Sequence, residues 1–119
     1  MQSRHEKVEA ALELLRCASS RRLSLKDALS IVCMVTKLSE EVLREAVKRG
    51  IIRREGREIV ILAEPAKARC RRHRCDAVCR RCGRRIKLCH YLHTGGFELG
   101  PYGSECIRKI AHTLSRDSA

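Results

Sequence analysis

The segment from Lys67 to Lys87 constrains the fold of this chain more than any other. It contains ten Lys or Arg residues, one acid and four cysteines, and its net charge is +9, against +12 for all 119 residues. With so few large apolar side chains, the second half of the chain is expected to need a metal ion to stay folded. Cysteines and arginines in one place predict a metal-stapled scaffold that presents cations to a polyanion, most plausibly nucleic acid.

Charge also divides the chain into two parts. Residues 1–65 have a net charge of +3 and residues 66–119 a net charge of +9. The change falls at Glu64-Pro65, where proline favours a break in regular structure. We therefore expect an α+β chain of two domains, residues 1–65 and 66–119, that melt separately.

The first half has the periodicity of three helices followed by a hairpin. Apolar residues recur at helical spacing from Glu6, after a capping residue at Ser24 and again from Ser39, and the third helix should end at Gly50. Two short β-type segments flank a turn at Gly56, which predicts a β-hairpin. Cys17 and Cys33 lie in the apolar stripes of the first two helices. We expect both to be buried core residues, with a disulfide between them as the alternative.

The order helix, helix, helix, hairpin resembles the winged helix-turn-helix family over residues 38–61, LSEEVLREAVKRGIIRREGREIVI. The resemblance implies that the third helix enters the major groove and that the hairpin wing contacts the DNA backbone. This third helix carries acids that repel phosphates, so docking of a protein partner on it, or dimerisation, is the alternative. The acids are Glu40, Glu41 and Glu45, and the wing cations suited to backbone contact are Arg53, Arg54 and Arg57.

The second half has the ligand spacing of a zinc module. Cys79-Arg-Arg-Cys82-Gly83 has the form of a zinc knuckle, in which two thiolates bind one ion from a tight turn. A second hairpin, turning at residues 93–96, and a last helix that contains Cys106 follow. This layout resembles treble-clef zinc modules. Cys-x-x-Cys-Gly-Arg-x-Ile with Gly-Pro-x-Gly-x-x-Cys resembles small zinc-finger domains over roughly residues 75–110. The resemblance implies that Cys79, Cys82 and Cys106 bind Zn²⁺.

The fourth ligand is open. Gly103 and Lys109, three residues either side of Cys106, cannot bind a metal, so Cys75 or Cys89 is expected, with Cys75 slightly favoured. Two alternatives remain. A [4Fe–4S] cluster would use Cys75, Cys79, Cys82 and Cys89. A second metal site would combine Cys70, His73 and Cys75 with Cys89 or His90.

The basic residues around the knuckle are the candidate nucleic-acid contacts, because guanidinium groups match phosphate bidentately. The chain has only three aromatic residues, which disfavours a base-stacking platform for single strands. Duplex DNA is therefore the favoured partner and structured RNA the alternative. The candidates are Arg69, Arg71, Arg72, Arg74, Arg80, Arg81, Arg84, Arg85 and Lys87.

Composition bounds the class of protein. No apolar run approaches the roughly 18 residues of a membrane span, and no signal peptide opens the chain, so we expect a cytoplasmic protein. Asn and Trp are absent, Gln occurs once and Arg outnumbers Lys, which suggests a thermophilic, archaeal source and a nucleoid-associated protein. No acid–base pair lies in a catalytic motif, so we expect neither an enzyme nor a small-molecule substrate. The expected function is a DNA-binding transcription or chromatin factor. An interaction module of a ribonucleoprotein or polymerase assembly is the alternative.

Overall fold

The computed structural model describes residues 3–114, which form an α+β fold of four helices and two antiparallel three-stranded sheets. The predicted α+β class is confirmed. The elements are α1 Arg4–Arg16, β1 Arg22–Ser24, α2 Leu25–Cys33, α3 Ser39–Lys48, β2 Ile52–Glu55, β3 Glu58–Ile61, β4 Arg69–Val78, β5 Arg85–Thr94, β6 Phe97–Tyr102 and α4 Ser104–Ala111.

Three helices form in the first half as predicted, although α1 begins at Arg4, two residues before the expected Glu6. Ser24 caps α2, since its side chain accepts a hydrogen bond from the backbone N–H of Asp27. Past the end of α3, Gly50 has a φ of 74°, the left-handed conformation that glycine adopts most easily. The hairpin β2–β3 turns at Gly56 as expected, and β3 is the central strand of the sheet order β1-β3-β2. Only the three-residue β1 was not predicted.

The second sheet has the order β4-β5-β6 and contains the largest departure from the predictions. The hairpin β5–β6, turning at Gly95 and Gly96, is confirmed, and β6 extends from Phe97 to Tyr102. The Arg-rich segment 69–78, in contrast, forms a ten-residue edge strand paired with β5. The basic residues that precede the knuckle are therefore held on a strand.

The two halves share one core. Buried residues of α1, α2 and α3 form a single hydrophobic cluster with residues of β5, β6 and α4. The Tyr102 hydroxyl donates to the Met34 carbonyl oxygen at 2.5 Å, and Cys17 Sγ lies 3.0 Å from Thr94 Oγ1. Each half thus has its own sheet, one on either side of Pro65, and both sheets pack on the same core.

The two cysteines of the first half differ from each other. Cys17 is fully buried, as predicted, and burial raises the pKa of its thiol. Cys33 is exposed, against the prediction, and both thiols are free, so the alternative disulfide does not form. Cys33 is the last residue of α2, whose buried stripe consists of Ala28, Ile31 and Val32, and it lies off that stripe.

Candidate metal centre

The knuckle is the turn that joins β4 to β5. The backbone N–H of Cys79 donates to the Arg84 carbonyl oxygen at 2.7 Å, and the N–H of Gly83 donates to the Cys79 carbonyl oxygen at 2.9 Å. Gly83 has a φ of 80°, which a side chain would disfavour. These bonds close a tight loop that brings Cys79 and Cys82 together at the end of the hairpin.

Helix α4 supplies the third thiol. Cys106 lies in its first turn and approaches Cys79 with an Sγ–Sγ distance of 3.6 Å. The Sγ atoms of Cys79, Cys82 and Cys106 all lie within 4.8 Å of one another. A tetrahedral zinc ion with Zn–S bonds of about 2.3 Å would hold its sulfurs about 3.8 Å apart. The three thiols therefore fit a metal ion of this size.

Hydrogen-bond donors around the sulfur atoms of the cluster would stabilise the thiolate form. The backbone N–H of Gly103 donates to Cys79 Sγ at 3.3 Å, and Arg81 Nη1 donates to Cys106 Sγ at 3.7 Å. The Nε atom of Arg81 is buried without a hydrogen-bond partner among the described residues. An arginine held in this way against sulfur is expected where several thiolates carry negative charge, and orienting contacts of this kind surround metal ligands.

The two buried thiols titrate differently. Burial raises the pKa of Cys79, but N–H groups of Cys82, Gly103 and Arg81 outweigh it and lower that pKa to about 7. Burial is also the largest influence on Cys106, and with the neighbouring thiols of Cys79 and Cys82 it raises the pKa of Cys106 despite Arg81. Of these two thiols, Cys79 thus has the lower pKa.

Neither expected fourth ligand reaches this cluster. Cys75 and Cys89 form a disulfide between β4 and β5, with a Cα–Cα distance of 5.8 Å. Cys75 is four residues from Cys79 in sequence, but an extended strand carries it about 13 Å away. Among residues 3–114, no fourth Cys, His, Asp or Glu joins the three thiols. The set Cys75, Cys79, Cys82 and Cys89 considered for an iron–sulfur cluster is therefore not assembled.

The residues considered for a second metal site are dispersed. Cys70 packs against the core, the His73 ring stacks on Tyr91, and His90 Nε2 lies 2.9 Å from Ser104 Oγ. Burial, with a smaller effect of Arg72, lowers the pKa of His90. Within the described range these groups do not form a second metal-binding cluster.

Most candidate cations at the wing and the knuckle have partners within the chain. Arg53 pairs with Glu55 at 2.6 Å, and Arg54 lies 4.0 Å from Glu40. Half-buried Arg80 donates to the Val35 carbonyl oxygen at 3.4 Å, in addition to the contact of Arg81 with Cys106. The remaining pairs are Arg84 with Glu105, and Arg85 and Lys87 with Asp76.

Strand β4 is different. Arg71, Arg72 and Arg74 are exposed and have no ion pair with any residue of the described chain. Arg69, which begins the strand, is also exposed, as is Arg57 at the wing. Because β4 is an edge strand, its cations face solvent along one border of the second sheet. This border is the least neutralised part of the candidate nucleic-acid contacts.

These features define a small α+β protein with a three-thiol cluster and a basic edge strand. The chain belongs to the family of unknown function DUF5830, whose family model matches residues 7–113. No curated protein and no solved structure matches it. Within the described part of the chain, no helix has the length and apolar character needed to cross a membrane.

Proposed function

We propose that this protein binds nucleic acid through the phosphate backbone, with duplex DNA as the favoured target and a role as a transcription or chromatin factor. The observation that carries the proposal is the set of arginines on β4, Arg71, Arg72 and Arg74, which no acid of the described chain neutralises. Guanidinium groups on a paired strand lose little freedom when they bind a phosphate. Such contacts supply affinity without selecting a base sequence.

The thiol cluster supports a structural zinc ion in this proposal. Cys79, Cys82 and Cys106 would hold Zn²⁺, which when bound crosslinks the β4–β5 turn to α4. Knuckle, hairpin and helix then follow the treble-clef layout. Gly103 and Arg81 orient the sulfurs, and a further donor from outside the cluster completes the coordination. Iron bound to the same thiolates is the alternative, which visible absorption and elemental analysis distinguish.

The arrangement of the first half supports a winged helix. Its three helices are followed by the hairpin β2–β3, the order expected of that fold, and this hairpin would be the wing. The acids of α3 are occupied within the chain, since Glu41 pairs with Arg4 and Glu45 with Arg49. We infer that the winged helix contributes less to phosphate binding than β4 does.

A salt titration tests the proposal. The variant Arg71→Ala/Arg72→Ala/Arg74→Ala removes three charges from β4. If each binds one duplex phosphate, the slope of log affinity against log salt should fall by about 0.9 per residue, or about 2.7 in total. Binding of a fluorescent duplex to full-length protein, followed by anisotropy at several salt concentrations, measures this slope.

The matched control is Arg84→Ala/Arg85→Ala/Lys87→Ala. It removes the same charge from β5 and the turn before it, at residues that pair with Glu105 or Asp76. Its slope should change less. An equal fall of the slope in the two variants would show that only net charge matters. An unchanged slope in the β4 variant would contradict phosphate binding by this strand.

A protein-docking role is the second candidate, and one observation favours it. Val47 of α3 is 44 % exposed, an apolar side chain on a helix whose acids are already paired. In this alternative α3 docks on a protein of a ribonucleoprotein or polymerase assembly, or on a second copy. Sedimentation of wild type and Val47→Glu tests self-association. Comparison of the affinities for duplex DNA and structured RNA at several salt concentrations tests whether the protein belongs to a ribonucleoprotein assembly.

A further inference from the structure

The second sheet has one face that does not contribute to the core. Leu92 of β5 and Leu99 of β6 belong to the hydrophobic cluster, whereas Cys89 and Tyr91 do not. Since side chains alternate along a strand, the residues beside Tyr91 at even spacing share its face. We call this the outer face. It consists of Arg69, Arg71 and His73 on β4 and Lys87, Cys89, Tyr91 and His93 on β5.

The centre of the outer face is an aromatic stack. The rings of His73 and Tyr91 have centroids 5.2 Å apart and planes inclined by 14°. Arg71 is the register partner of Tyr91, and it is exposed, as is His73. A cation therefore stands next to a flat π surface on the same side of the sheet.

The neighbouring strand β6 approaches Tyr91 with its backbone and not with a side chain. On β6 the adjacent position is Gly100, where a Cβ atom would lie 3.2 Å from Tyr91 Cδ1. No side chain of β6 presses on the ring from that position. Two acids lie toward the ends of the outer face. Glu98 Oε2 is 3.7 Å from His93 Nε2, and Asp76 pairs with Lys87.

We propose that the outer face binds single-stranded nucleic acid, with an unpaired base stacked on the Tyr91–His73 pair and the adjoining phosphate held by Arg71. The inference rests on the proposed function, since it uses Arg71 of the same strand, and it adds single strands to the duplex as a class of target. A base offers a π face only when it is not paired and stacked in a duplex. Base–aromatic stacking beside cations is the general mode of single-strand binding.

The disulfide favours this role because it holds the two strands together at the stack. Cys89 is the register partner of His73, and Cys75 binds it from the bulge of β4, where two residues face Lys87 alone. A platform fixed before binding loses less conformational entropy than a flexible one. The stacked pair is hard to recognise in the sequence, because Tyr91 and His73 are 18 positions apart and only strand pairing brings them together.

Tyrosine fluorescence and affinity together test the proposal on the full chain. The probes are a 15-nucleotide oligo(dT), an oligo(U) of the same length and a 15-base-pair duplex. Trp is absent and there are two tyrosines, of which Tyr102 is fully buried, so quenching on binding reports on Tyr91. We expect both single strands to quench this emission. The ratio of the two affinities shows whether the target is DNA or RNA.

Tyr91→Leu should weaken binding of the single strands by about 5- to 150-fold, the range that loss of one stacked base gives. Tyr91→Phe keeps the ring and should keep the affinity. Neither variant should change duplex binding. Thermal unfolding of each variant establishes that it is folded at the assay temperature.

The outcomes separate this inference from the proposed function. If Tyr91→Leu binds single strands as wild type does while the β4 triple variant loses affinity, stacking is wrong and phosphate binding stands. Equal weakening of duplex and single strands by Tyr91→Leu would also contradict stacking, because it would show general damage to the sheet. If wild type binds none of the probes, both proposals are wrong.

Discussion

The two halves of the molecule treat their cations differently. In the first half, basic side chains are joined to acids, as with Arg22 and Glu58, Arg49 and Glu9, and Arg53 and Glu55. In the second half, Arg71, Arg72 and Arg74 of β4 have no such partners within the described chain, and Arg81 contacts the Cys106 sulfur. Several cations of the first half are thus paired within the chain, whereas the second half places cations next to sulfur and along an exposed strand.

This difference shows why net charge alone does not locate a binding surface. The knuckle and the wing contain more adjacent arginine pairs than β4, yet four of their guanidinium groups already lie beside acids. Arg53 lies beside Glu55, Arg54 beside Glu40, Arg84 beside Glu105 and Arg85 beside Asp76. Exposed pairs of this kind are weak and screened by salt, but they still reduce the local positive potential. The four predictions below test the contrast between the halves, beginning with the largest effect.

Loss of one thiol of the cluster should have the largest effect, a fall in the affinity for zinc. Cys82→Ser removes a ligand at an exposed position, so it leaves the core packing intact, and we expect zinc affinity to fall by more than about 100-fold. Cys33→Ser is the matched control, another exposed free cysteine outside the cluster. Competition with a chromophoric chelator measures both. Equal zinc affinity in Cys82→Ser and wild type would show that the three thiols are not the site.

Arg81 should matter for the metal and Arg85 should not. Arg81→Met removes the donor to Cys106 Sγ, and loss of an orienting contact to a metal ligand reduces affinity by about 10- to 100-fold. Arg85→Met removes the same charge from an exposed pair with Asp76. The same chelator competition applies. A similar loss in both variants would mean that Arg81 acts only through the overall charge.

Tyr102→Phe tests whether the halves unfold together. The substitution leaves the buried Met34 carbonyl oxygen without its partner and should lower the free energy of unfolding by about 1 to 2 kcal/mol. Because the halves share a core, amide hydrogen exchange should accelerate in α2 and α3 as much as in β5 and β6. Tyr91→Phe, on the outer face, should accelerate neither. Faster exchange in the second sheet alone would support two independently melting domains with a boundary at Pro65.

The wing should contribute least to nucleic-acid binding. Arg53→Ala/Arg54→Ala removes two cations that already have acidic neighbours, so the salt slope for duplex DNA should change little. Arg71→Ala/Arg72→Ala removes two from β4 and should lower the slope by about 1.8. Anisotropy titrations of the two double variants decide between them. A larger effect at the wing would indicate that the winged helix binds DNA in the usual way of its fold.

Local patterns were sufficient to predict the helices and two hairpins. Capping at Ser24, the glycine at the end of α3 and the Gly95-Gly96 turn are determined by neighbours in sequence, and each was predicted. The three thiols Cys79, Cys82 and Cys106 were likewise expected as one group from their spacing, and the structure brings them together. Their metal stays a prediction.

Strand β4 could not be recognised from its own residues, because it carries arginines on both faces and lacks an apolar alternation. The available sequence signal for β4 lay in its partner strand, β5. Residues 88–92 are apolar or aromatic at consecutive positions, as expected of a central strand that needs neighbours on both sides. Without β4 there was no reason to pair Cys75 with Cys89 or to place His73 on Tyr91, since both contacts depend on register.

The position of β4 at the edge of its sheet has a consequence for any solution experiment. An unpaired strand edge can accept a strand from another copy, and like charges on it oppose such pairing. At about 0.1 M salt this repulsion extends only about 10 Å, and it shortens as salt is added. Raising salt to weaken nucleic-acid binding therefore also removes a barrier to self-association. Titrations need dilute protein and a parallel check of molecular mass, so that aggregation through β4 is not counted as loss of affinity.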